Sequence, residues 1–293
     1  MSKKKTLDLT IELVKQLYNC DISSFIPVKH KKINLGWIHK RNKLFLEVLK
    51  KSGDYINSNE IKKISQDKKL LKKFLKRKVV LELCPVFEQS SFNPEKKFNP
   101  EKKFGQKKLF NVERSFLSPL GLPQYGVHCN GWSKEKSDFF FHFALRSKKL
   151  RDFPNHFDNI FAGGQPTGIS INENLKKEAS EEAGLKILKK NLIIGNVINY
   201  SHNHNDEIHS GVIFVYDYQV NKNVKFINND GEVEGFKSIE VDKIYKILER
   251  KLLKPNCIIP IADFFLRNMR DFFPNSGILR LEELFKKNGQ LIK

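Results

Sequence analysis

The sequence predicts an α/β protein in which helices pack on a mixed central sheet, preceded by a smaller α+β region. Three observations predict it. Runs at 139–146, 191–201 and 208–220 are rich in β-branched and aromatic residues and read as strands. Helical patterns at 241–252 and 257–269 follow them, so strands and helices share one core. In the first third, 5–18 and 58–78 read as helices around a short strand at 32–38. The second of these helices is strongly basic, with Ile61, Ile64, Leu70, Leu71, Phe74 and Leu75 on its apolar face. Between it and the next ordered stretch, FNPEKK at 92–97 recurs at 98–103. Two copies of six residues are too few for a solenoid, so 90–108 is expected to be a solvated, flexible loop. The expected division is a basic N-terminal domain over 1–125 and a second domain over 126–293 that carries the C-terminal helices.

The 293 residues are 40% hydrophobic and include 24 Phe, which gives a globular core rather than a disordered chain. Cys20, Cys84, Cys129 and Cys257 are far apart with no CxxC pair, which speaks against a zinc cluster and a disulfide framework. There is no apolar run near the ~20 residues of a membrane span, and the first 17 residues are charged throughout. A cytoplasmic protein without membrane contact is expected. The net charge of +20 is lopsided: residues 1–110 carry 27 basic against 11 acidic side chains. Evenly sprinkled Lys with few Arg or aromatic partners reads as a solvated surface, with nucleic acid or another polyanion as the alternative partner.

Chemistry concentrates at 163–185, GGQPTGISINENLKKEASEEAGL. Ser170 followed by Glu173 is a capping box and Gly184 a helix stop, so the pattern predicts a helix over 171–183. At about 100° per residue, Ile171, Leu175, Ala179 and Ala183 form an apolar stripe, with Glu178 and Glu182 beside or inside it. Glu173 and Lys177, at i,i+4 on the other side, are expected to pair in solvent. Glu178, Glu181 and Glu182 stack like charges at the negative end of the helix dipole, which costs about 0.3–1 kcal/mol each. With Lys177 expected to point away, a divalent cation offsets them best, and Mg²⁺ prefers such oxygen donors.

This segment resembles the Nudix box, G-x5-E-x7-R-E-U-x-E-E-x-G-U with U aliphatic. Gly163, Glu178, Glu181, Glu182, Gly184 and Leu185 match, with Lys177 for Arg and Ala179 for the aliphatic. Ile169 stands where the early Glu belongs, so the usual Glu–Arg brace cannot form there; Glu173–Lys177 is the expected substitute. GVHCNGW at 126–132, NDGEVEGF at 229–236 and KPNC at 254–257 are similar to the thiamin-pyrophosphokinase-related branch of Nudix hydrolases, and 26–40 looks like the β-hairpin of that branch's extra N-terminal domain.

The resemblance implies a Nudix-type α/β/α sandwich and an Mg²⁺-dependent (or Mn²⁺-dependent) pyrophosphohydrolase. Oxidised or damaged thiamin diphosphates are the implied small-molecule substrates. Nucleoside diphosphate derivatives or capped RNA, with the N-terminal domain binding nucleic acid, are the alternative. By carry-over, Glu178, Glu182 and the Gly163 carbonyl bind the metal, and Glu181 does so directly or through water. Arg146, Lys148 and Lys149, at the end of a strand, are candidates for meeting phosphate charge. Glu181, Glu232 and Glu234 are the candidate catalytic carboxylates, the last two as general base. His128, His142, His202, His204 and His209 are assigned no metal.

Overall fold

The computed structural model describes residues 1–49, 51–66, 82–87, 108–221 and 224–288. The repeat at 92–103, and the part of the basic helix beyond Gln66, lie outside the described residues. Helix α1 spans Ser2–Gln16. Strands β1 (Phe25–His30) and β2 (Ile33–His39) form an antiparallel hairpin turned at Lys31, whose φ is 53°. Helix α2 (Lys43–Val48), strands β3 (Lys51–Ser52) and β4 (Tyr55–Asn57), and helix α3 (Ser58–Gln66) follow. The first sheet runs β2-β1-β4-β3, with β1 and β4 parallel. A separate hairpin joins β5 (Leu83–Phe87) to β6 (Lys108–Glu113). One apolar cluster, including Val28, Ile38, Ile56, Ile61, Val112 and Phe116, holds this smaller region together.

The larger sheet is built from β7 (Gln124–Glu135), β8 (Asp138–Arg146), β9 (Phe157–Asp158), β10 (Phe161–Gly164), β11 (Leu192–His204), β12 (Glu207–Gln219) and β13 (Val233–Glu240). Its main path is β11-β12-β7-β8-β13, with β10 on β7 and β9 on β8. Only β12 and β7 run parallel along that path, so the sheet is mixed as expected. Successive residues of a strand face opposite sides, and β12 supplies both cores by this rule. Val212, Phe214, Tyr216 and Tyr218 join helix α4 (Ile171–Ala183) on one face. Ile213 and Val215 join helix α6 (Ile258–Asn268) and helix α7 (Asn275–Asn288) on the other. The result is an α/β/α layering with the smaller α+β region before it.

Two expectations need correction. The helix over 241–252 is a 3₁₀ turn at Val241–Lys243 and then a short α5, Tyr245–Glu249. It stops early because Lys251 turns left-handed (φ 53°) and Leu252 N–H donates to Ile247. Strand β7 was not predicted at all. Its glycines suit close approach more than strand propensity, since a Cβ at Gly126 would lie 3.0 Å from the Gly163 carbonyl oxygen. Helix α1 packs on the larger region, where its Leu7, Ile11 and Val14 share a core with Ile278, Leu281 and Phe285 of α7. Among the described residues no helix is long and apolar enough to cross a membrane.

Candidate metal centre and its surroundings

The site grows from the β10–α4 connection. β10 pairs antiparallel with β7, Gly163 opposite Val127 and Gly164 opposite Gly126, which fixes the backbone that α4 leaves from. Ser170 caps α4: its hydroxyl accepts from Glu173 N–H while the Glu173 carboxylate accepts from Ser170 N–H at 2.6 Å. The helix ends at Gly184 in the left-handed conformation, φ 64°. Its bounds coincide with the sequence expectation.

The apolar stripe turns the helix so that Glu178 and Glu182 are buried, 8% and 7% exposed. Glu182 accepts from Ala162 N–H at 2.8 Å. Glu178 lies directly under Gly163, where a Cβ would fall 2.0 Å from its carboxyl carbon. Only glycine leaves room there. Burial pushes the Glu182 carboxyl well above the usual range, with Asp158 adding to the shift, and burial also raises Glu178 against the opposing charge of Lys177. Glu181 is half-exposed at the same end of the helix.

Lys177 does not point away. Its ammonium lies 2.7 Å from Glu181 and 3.1 Å from Glu178, because its long stem reaches along the helix to i+1 and i+4. Glu173 serves the cap, so the Glu173–Lys177 substitute for the missing brace gives way to another device. Residues 165–170 are held by the smaller region and by β7. Thr167 N–H donates to the Leu83 carbonyl at 2.9 Å, its hydroxyl bonds Asn111 at 2.9 Å, and Gln165 N–H donates to Tyr125 at 2.7 Å. Sequence reasoning missed this, since neither Leu83 nor Asn111 carries a local signal.

The other candidates separate. Arg146 is turned inward, donating to Asp158 at 2.8 Å and to the carbonyls of Phe153 and Asp152. Lys254 also reaches Asp158, at 2.9 Å, and Cys257 donates its thiol proton to the same carboxylate at 2.7 Å. Burial alone would raise Asp158, yet Lys254 and Arg146 hold it well below the usual carboxylate range. His128, Asp158 and Cys257 bring ligand-type atoms within 4.8 Å of one another, but the two cations already on Asp158 oppose a third. Lys148 and Lys149 are exposed in the turn after β8. Glu234 accepts from Ser147 Oγ at 3.0 Å and Lys148 N–H at 3.3 Å, bonds that hold its carboxyl below the usual range. Glu232 is exposed on a loop whose start docks on α4, where Asn229 N–H donates to the Glu181 carbonyl at 2.8 Å.

Whether this chain fits a divalent ion is decided by its donors. Glu178 and Glu182, buried and raised by burial, and Glu181, half-exposed at the same end of the helix, are oxygen donors of the kind Mg²⁺ or Mn²⁺ takes, while among the described residues only His128, Asp158 and Cys257 have ligand atoms all within 4.8 Å of one another.

Over about half of its length the chain is homologous to Nudix hydrolases. It is 32% identical over 160 residues to Nudix hydrolase 24, chloroplastic, of Arabidopsis thaliana, covering 54% of this chain and 44% of that protein. To Nudix hydrolase 20, chloroplastic, of the same plant it is 32% identical over 161 residues, 54% of this chain and 43% of that one. The match thus spans less than half the length of these two curated relatives. No family model matches the chain. Among solved structures, DR0079 from Deinococcus radiodurans aligns with a TM-score of 0.42 at 14% identity, over 54% of this chain and 93% of that one.

Proposed function

We propose that the chain hydrolyses diphosphate linkages with the help of a divalent metal, acting on oxidised or damaged thiamin diphosphates and releasing monophosphates. The observation that carries the reading is that Glu178 and Glu182 are buried on the face of α4 toward β10, Glu178 against the side-chain-free Gly163 and Glu182 on Ala162 N–H, with Glu181 at the same end of the helix. Glu178, Glu182 and the Gly163 carbonyl would hold Mg²⁺ or Mn²⁺, with Glu181 direct or through water. Bound there, the ion supplies positive charge for the diphosphate oxygens and for activation of water.

The protein's own part is placement. Lys177 tempers the repulsion between Glu178 and Glu181 until the ion arrives. Exposed Lys148 and Lys149 draw the diphosphate to the mouth of the site. Proton acceptance falls to Glu181 or Glu232 rather than Glu234, which is occupied by Ser147 and Lys148 and is the weaker base. Arg146 serves Asp158 and leaves substrate alone. The division at 125/126 is kept for everything but α1, and a cytoplasmic location is part of the same reading.

Selectivity follows from charge. Intact thiamin diphosphate carries a thiazolium cation that the oxo form lacks. A basic mouth repels that cation, and about 1–3 kcal/mol of repulsion gives roughly 5- to 150-fold preference for the oxo form. Phe157 and Phe161 are core residues, so the ring that could offset this is Phe236, paired with Phe226 at 4.8 Å. The test is kcat/KM with Mg²⁺ on oxothiamin diphosphate, thiamin diphosphate, nucleoside diphosphate derivatives and capped RNA. A preference for the oxo form that shrinks as salt rises is expected. Equal rates on the two thiamin compounds, or faster turnover of nucleotides or caps, would sink the thiamin reading.

A further inference from the structure

Arg114 belongs to the smaller region yet reaches the end of the strand that leads into the candidate site. It follows β6 at the start of a 3₁₀ turn that Glu113 caps by accepting from Ser115 N–H. Its own N–H donates to the Glu82 carbonyl at 2.9 Å, which ties it to the hairpin that grips Thr167. The guanidinium then lies over Gly164: a Cβ there would be 3.2 Å from both its central carbon and Nη2. Gly163, the preceding residue of the strand, faces Glu178 on the other side, and the two charges are near enough for Glu178 to be felt at Arg114 across the strand end. One edge of the guanidinium, through Nη1, binds Glu82 at 2.7 Å. The side chain is nevertheless half-exposed, and Nη2 has no acceptor among the described residues.

Lys177, the other cation beside Glu178, is engaged by two carboxylates. Arg114 is therefore the cation next to the glutamate cluster with donors still to offer. Its planar fork matches a phosphate. Arg151, in the turn after β8, is paired with Asp152.

We propose that Arg114 is a substrate contact, binding a phosphate of the diphosphate that Glu178, Glu181 and Glu182 position through the metal. This rests on the hydrolase reading above. The smaller region then completes the site, holding residues 165–170 from one side and the substrate's phosphate from the other.

The experiment is the affinity of the full chain for inorganic pyrophosphate with Mg²⁺, by calorimetry, for wild type, Arg114→Ala, Arg114→Lys and Glu82→Gln, each checked by thermal melting. Arg114→Ala should weaken binding about 10- to 100-fold. Arg114→Lys should recover part of the loss, as a point charge without the fork. Glu82→Gln, which frees the guanidinium, should bind as well as wild type or better. If Glu82→Gln weakens pyrophosphate as much as Arg114→Ala, the ion pair merely supports the fold and the proposal falls. Equal affinity in wild type and Arg114→Ala, or no wild-type affinity, also overturns it. Turnover is a separate arm: a wild type that binds pyrophosphate through Arg114 but hydrolyses no diphosphate would sink the hydrolase reading and leave Arg114's contact standing.

Discussion

Asp158 and Glu182 are both buried carboxylates, near enough to raise one another's energy, and the chain treats them in opposite ways. Asp158 has Arg146 and Lys254 on one oxygen and the Cys257 thiol on the other. Glu182 has one backbone N–H, from Ala162. Its carboxyl is accordingly pushed up while that of Asp158 is held down. Where the protein supplies its own counter-charges, a buried acid braces the sheet. Where it withholds them, the acid stands ready for a cation from outside.

Breaking the compensated acid should have the largest effect on stability. Asp158→Asn leaves Arg146 and Lys254 without their anion, and losing one partner of a buried pair costs about 3–5 kcal/mol. Denaturant unfolding should show that loss, with turnover per folded molecule largely kept; unchanged stability would remove the distinction between the two acids. Breaking the uncompensated acid should do the reverse. Glu182→Gln should melt at or above the wild-type temperature without metal, lose the melting increase that Mg²⁺ gives wild type, and turn over about 10²–10³-fold more slowly. Near-normal turnover in a folded Glu182→Gln would take it out of the site.

A steric version sharpens the same point. Gly163→Ala puts a methyl group on the Glu178 carboxylate, so Glu178 must move, and a displacement near 1 Å should cost about 10²-fold in turnover. Melting and turnover measured together separate this from unfolding.

The smallest effect concerns a partly buried group that stays neutral. Burial lowers the His142 pKa to about 4, while both ring nitrogens bond hydroxyls, Ser133 at 2.9 Å and Ser238 at 2.7 Å. The unfolded chain takes up this proton near pH 6.5 and the folded chain only near 4. Below 6.5 the unfolded state therefore binds more protons, so this contribution to stability is full above 6.5 and lost as pH falls toward 4. The stability of His142→Gln should fall less steeply over that window than that of wild type. Identical slopes would show that His142 titrates normally.

The site's helix was legible because its signals are local. Ser170, Glu173 and Gly184 mark its ends, and the stripe of Ile171, Leu175, Ala179 and Ala183 decides which glutamates are buried. β12 was legible for a similar reason, its alternation feeding two cores. What was illegible depends on partners distant in sequence. β7 is a strand because neighbours pair with it on both sides, despite Gly126, Asn130 and Gly131. Arg114 looks like any surface arginine until the β5–β6 hairpin carries it to Gly164. The turn of Lys177 toward Glu178 and Glu181 is a rotamer choice, which spacing alone leaves open.

The packing of α1 on α7 also sets a timetable. Leu7 sits so close to Gly277 that a Cβ there would meet it at 2.5 Å, and Arg280 donates to Asp8 across 272 residues of sequence. At about 5–20 residues per second on the ribosome, roughly 15–55 s separate the synthesis of the first helix from that of its partner. Until then Leu7, Ile11 and Val14 can pack only on the earlier-made part of their core, such as Val241, Ile244 and Ile258, and the larger sheet lacks one of its covering helices. A chain stalled before residue 275 would leave the side of that stripe which meets Ile278, Leu281 and Phe285 open to chaperones.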